Sequence, residues 1–143
     1  MEQLCLIFAL LSAVTAALVA VFGKIGLQSI DANTATAVRS VIMAVFLILI
    51  VTFQGNIKQI PVIIADKRAL TFIALSGVAG ALSWLFYFLA LKHGKVSQVA
   101  PIDKLSVVIS SVLAVMLLGE KISAVSGIGI ALIAVGAIFV SLG

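Results

Sequence analysis

The chain has 143 residues, 64% of them hydrophobic and 10% charged, with a mean hydropathy of +1.37. Soluble domains carry about 25% charged and 45–50% apolar residues, so this chain holds more apolar surface than so short a polypeptide can bury in water, and its solvent is lipid. The formal charge of +4 is scattered over short polar connections, a pattern of interfacial lysines and arginines that excludes a nucleic-acid-binding face.

A spanning helix needs about 20 mostly apolar residues. Span 1 is predicted over 4–22, where only Ser12 and Thr15 interrupt the apolar run and Gly23-Lys24 closes it. It lacks a basic leading region and outruns the apolar part of a signal peptide, so it is expected to belong to the mature protein. The lone cysteine, Cys5, allows no internal disulfide and reads as a small buried apolar residue. Span 2 is less obvious, because its unbroken run, Val41 to Phe53, covers only about 20 Å of a core about 30 Å thick. A full-length helix must begin near Thr34, just after the cap residues Asp31 and Asn33. The predicted span is 34–53, and it carries Arg39 inside.

The 54–68 connection holds Pro61 within the apolar Ile60-Val62-Ile63-Ile64, flanked by Lys58, Lys67 and Arg68, and is expected to lie in the interface. Span 3 follows over 69–91, ended by Lys92-His93-Gly94-Lys95. Span 4 covers 99–118, with Pro101 near its first turn and Gly119-Glu120-Lys121 at its end. Span 5 covers 122–142. The expected architecture is an all-α integral membrane protein, a single domain of five transmembrane helices over residues 1–143. His93 has no clustered partners, so neither a metal site nor a cofactor is expected.

Five spans put the termini on opposite sides. Lys58, Lys67, Arg68 and Lys121 fall on one side; Lys24, Lys92 and Lys95 fall in the loops of the other, where Arg39 and Lys104 enter helices. So small an imbalance orients the chain weakly. Either other signals place the N-terminus inside, or copies insert both ways and form an antiparallel pair.

Arg39 lies about five residues into span 2 and Asp103 about four into span 4, roughly 6–8 Å below the same surface. Ionisable groups at that depth point to a functional site unless they are paired, and a guanidinium can meet a carboxylate bidentately. Asp103, Ser106 and Ser110 form one stripe at helical spacing, with Lys104 turned aside. Gly77, Gly80, Trp84 and Tyr87 share a face of span 3. Arg39, Trp84, Tyr87, Asp103, Lys104, Ser106 and Ser110 are therefore the substrate-cavity candidates. The bland readings are a structural ion pair for Arg39, a first-turn acid favoured by the helix dipole for Asp103, and interfacial belt aromatics for Trp84 and Tyr87. Gly129 and Gly136 on span 5, with Gly77 and Gly80, are candidates for close helix packing, within one copy or between two.

The stretch from Phe88 to Ser123, FLALKHGKVSQVAPIDKLSVVISSVLAVMLLGEKIS, resembles the EamA-type repeat of the drug/metabolite transporter superfamily. The shared marks are an Ala-Leu helix end, a short polar turn, an early proline and a closing Gly-Glu; Arg39 also looks like that repeat's arginine. The resemblance extends over essentially the whole chain. It implies one five-helix EamA-like repeat where relatives commonly carry two in opposite orientations. A lone repeat is thus expected to pair, as a homodimer, antiparallel in one arrangement, or with a second short protein. It further implies a central cavity and transport of a small polar or amphipathic metabolite across the cell membrane, plasma or bacterial inner, in which the chain is multi-pass. Asp103-Lys104 lies where many relatives place uncharged residues. The related four-helix multidrug exporters carry a proton-coupling acid in span 1; here only Glu2 stands at its edge, so Asp103 is the embedded candidate for that role. The alternative function is an accessory or assembly subunit of a larger membrane complex, such as a lipid-linked sugar flippase. No nucleophile–base pair, metal cluster or phosphate loop supports an enzyme.

Overall fold

A computed structural model describes residues 3–143 of the chain, leaving Glu2 outside the described residues. Seven α-helices and one short 3₁₀ turn run in order, with no strand among the described residues: α1 Gln3–Gly26, α2 Ala32–Phe53, the turn Asn56–Gln59, α3 Ile60–Ala65, α4 Lys67–His93, α5 Val96–Asp103, α6 Leu105–Leu118 and α7 Ala124–Leu142. Five segments are long and apolar enough to cross a membrane: Gln3–Gly26, Ala32–Phe53, Lys67–His93, Val96–Leu118 and Ala124–Leu142.

The boundaries follow local chemistry. Asp31 takes an extended backbone, and its carboxylate accepts from the Thr34 amide at 2.8 Å and the Thr34 hydroxyl at 3.0 Å, so α2 starts at Ala32 and Asn33 lies inside it. Asp66 does the same for α4: its Oδ1 accepts from the amides of Arg68 at 3.0 Å and Ala69 at 3.1 Å. That cap starts the helix at Lys67, two residues before the expected Ala69. Ser123 caps α7 by accepting from the Ser126 amide at 3.1 Å. Gly55 (φ 74°) and Gly119 (φ 68°) turn the chain out of α2 and α6 in the left-handed region, where a side chain is strained. The expected interfacial stretch is the short helix α3, with Pro61 in its first turn and Ile60, Val62, Ile63 and Ile64 all exposed.

Span 4 differs from expectation. The residues after Lys95 contain no breaker, so α5 starts at Val96 and Pro101 lies inside the helix rather than near its first position. The helix is then interrupted at Lys104, whose amide bonds the Pro101 carbonyl at 3.1 Å while its own carbonyl accepts from Val107 at 3.0 Å. These are i→i+3 bonds of a tightened turn, and α6 resumes at Leu105.

The chain folds as two compact units, Gly23–Lys92 and Met1–Phe22 with His93–Gly143. In the second, α7 packs against both α5 and α6. In the Gly23–Lys92 unit, Leu27, Ala32, Thr36, Phe88 and Leu91 are buried, and all lie near the end of α1, the start of α2 or the end of α4. The large apolar side chains elsewhere face outward, Phe53 at 90% exposure and Leu117 at 75% among them. Such a surface aggregates in water and is at home in hydrocarbon, where the spans' backbone groups are satisfied within the helices.

Candidate functional site

Arg39 lies seven residues beyond the first residue of α2, about 10 Å along the axis. Its guanidinium stacks over the Trp84 ring at 3.7 Å from the centroid and reaches Phe88 at 5.1 Å. Trp84 and Phe88 are four residues apart on α4 and therefore share a face. Their rings lie 5.8 Å apart, and Tyr87 stands edge-on to Trp84 at 5.7 Å. A cation on an aromatic face is worth about 0.5–2 kcal/mol, more where water is excluded. Behind the stack Phe88 is buried, and a Cβ placed on Gly23 would fall 2.6 Å from its ring. Glycine at 23 is what lets the last turn of α1 lie against the aromatic.

The same unit is tied together at its polar end. The Lys24 ammonium donates to the carbonyl of Leu91, a residue with no exposed surface. The Lys92 ammonium donates to the Ile30 carbonyl at 3.3 Å. Lys24, Leu27, Gln28 and Lys92 bound a cavity of about 280 Å³. The two Thr34 hydrogen bonds, backbone first, and the nearby Lys92 charge hold the Asp31 carboxyl below the usual aspartate range. Its cap is therefore complete above the ordinary value of about 3.9 and is lost as pH falls through the lower folded value. The thermal midpoint of the wild type should thus drop on acidification in that range, and Asp31→Asn should remove part of the drop. Equal acid sensitivity in the two proteins would exclude Asp31 as a source.

In the other unit, Asp103 is the last residue of α5. Its Oδ2 lies 3.4 Å from the Lys104 ammonium, the side chains being 36% and 55% exposed. Neighbours in sequence do not face each other on a regular helix; the turn at Lys104 lets them meet. Exposed pairs of this kind contribute little. Ser110 donates to the Val107 carbonyl at 3.0 Å and, with Ser111, Glu120, Lys121 and Ser126, lines a groove of about 560 Å³. Ser106 is exposed. The Asp103–Ser106–Ser110 stripe assumed an unbroken helix, which the turn interrupts. An Arg39–Asp103 pair would join the two units; each unit by itself shows Arg39 seated on aromatics and Asp103 beside Lys104.

Residues 3–142 match the EamA-like transporter family. The chain belongs to that family. It is 42% identical over 141 residues to an uncharacterized transporter in the cobO 3' region of a Sinorhizobium species, a match covering 99% of each chain. An uncharacterized protein of Methanocaldococcus jannaschii is 33% identical over 86 residues, 60% of this chain and 63% of its own length. No solved structure gives a significant match. Family and helices together establish a multi-pass membrane protein built on one EamA repeat.

In this EamA chain, two residues of the aromatic centre escaped sequence reasoning. Phe88 is one phenylalanine among eight, and its helical spacing from Trp84 was the available signal. Gly23 read only as the end of span 1. At the glycines singled out for packing, Gly77, Gly80, Gly129 and Gly136, a Cβ would meet no atom of the described residues within 4 Å.

Proposed function

We propose that this EamA protein is a transporter of the cell membrane that moves a small polar or amphipathic metabolite and works as a dimer of five-helix repeats. The observation that carries the reading is the half-buried Arg39 guanidinium on Trp84 and Phe88, a fixed cation with aromatic walls inside a spanning helix. Such groups are costly in a bilayer unless they face a partner or a wet path. The centre can hold a substrate through charge at Arg39 and through ring contact at Trp84 and Tyr87. Pairing is supported by the open glycine faces of α4 and α7, where two backbones can come close in lipid, and by the near-even charges of the two sides.

Reconstitution tests the reading. Liposomes containing only this protein are loaded with a small-molecule cell extract, and the solutes lost over time are identified by mass spectrometry against protein-free vesicles. At least one metabolite should leave faster with the protein present. Loss at the protein-free rate for every solute would overturn transport by this chain alone, and a monomer in bilayer cross-linking would overturn the dimer.

A further inference from the structure

We propose that the cavity bounded by Lys24, Gln28 and Lys92 is an anion site that takes a phosphate group. The Gly23–Lys92 unit has only two carboxylates, Asp31 and Asp66. Both are committed as helix caps, Asp31 to Thr34 and Asp66 to Arg68 and Ala69. By sequence position, Asp66 belongs with Lys58, Lys67 and Arg68 around α3. The opposite end of the unit's helices is left with three cations, Lys24, Arg39 and Lys92, against Asp31 alone.

Two of those cations, the partly buried Lys24 and the exposed Lys92, border one space. Lys24 is anchored on the Leu91 carbonyl and Lys92 on the Ile30 carbonyl. Both bond backbone carbonyls of their own unit, Lys24 one in the last turn of α4 and Lys92 one in the loop before α2. The cavity between them holds about 280 Å³, its apolar wall is the buried Leu27, and the Gln28 amide adds a donor at the rim. Ammonium groups bind phosphate as point charges, each bond charge-assisted, and Asp31 offsets only part of the local positive potential. The phosphate can come from a lipid headgroup or from a soluble phosphate compound.

The test uses the full chain in phosphatidylcholine nanodiscs. Inorganic phosphate is titrated against sodium chloride at matched ionic strength, with the thermal midpoint as readout, and a parallel sample contains phosphatidylglycerol and is read by native mass spectrometry. The wild type should show either a saturable stabilisation by phosphate or one retained phosphatidylglycerol per chain. The Lys24→Gln/Lys92→Gln variant should weaken that response by about tenfold or more. The first result identifies a soluble phosphate site and the second a lipid site. Lys92→Arg, which keeps the charge, should retain the response and serves as the folding control. No response to either probe in the wild type, or an undiminished one in the double variant, would overturn the proposal. Because the readout is binding, it stands or falls separately from transport.

Discussion

The Arg39→Gln variant is expected to insert and fold but to transport at about 1–10% of the wild-type rate, the scale set by losing a charge-assisted contact of about 1.5–3 kcal/mol in the rate-determining complex. Glutamine keeps a polar side chain of similar reach but removes both the charge and the planar donor fork. The protein carries a built-in check, because Trp84 is its one tryptophan and lies against the Arg39 guanidinium. Its emission should shift in Arg39→Gln while helix content stays unchanged. Arg39→Lys separates charge from stacking: a substrate read by charge alone is still carried, whereas one that needs the bidentate fork is not. Wild-type transport in Arg39→Gln would remove the residue from the substrate path.

The second large effect is expected at Gly23. Gly23→Ala places a methyl group 2.6 Å from the Phe88 ring, and that ring is buried, with Trp84 and Tyr87 close by. It has no open side into which to swing. Overpacking of this kind costs about 1–3 kcal/mol, although alanine is otherwise the better helix former by roughly 1 kcal/mol. The net outcome should be a lower thermal midpoint in detergent and a disturbed Trp84 emission. Adding Phe88→Leu, which shortens the obstructing side chain, should recover most of the loss. A Gly23→Ala protein as stable as wild type would mean that the last turn of α1 does not approach Phe88 this closely.

The embedded arginine was legible because a length rule leaves no alternative: the apolar run of span 2 is too short, and the nearest cap that completes it lies beyond Arg39. Asp31 was readable as that cap for the same reason. Gly119 was readable as the end of span 4, since a left-handed turn favours glycine. What binds Arg39 was only half visible. Trp84 and Tyr87 stand out by residue type in an apolar helix, but Phe88 has the same hydropathy whether it faces lipid or a guanidinium. A lipid-solvated helix lacks the inside–outside contrast that periodicity reads in water, so Phe88 showed only its spacing from Trp84 and Gly23 showed nothing. Span 4 differs from the sequence expectation on both sides of Pro101. Val96-Ser97-Gln98 looks like loop by polarity yet is helix, and the interruption falls at Lys104, three residues beyond the proline.

That interruption makes span 4 two peptide macrodipoles placed end to end. The carbonyl end of α5 carries partial negative charge and the amide end of α6 partial positive charge, each about half an elementary unit. Asp103 ends the first and Lys104 stands between the two, so each side chain adjoins one helix end of the sign it favours and one of the sign it does not. The two opposite charges, 3.4 Å apart, leave the joint without net charge. A neutral joint of this kind lets span 4 give up its regular hydrogen-bond ladder at Lys104 without adding a net charge to the membrane.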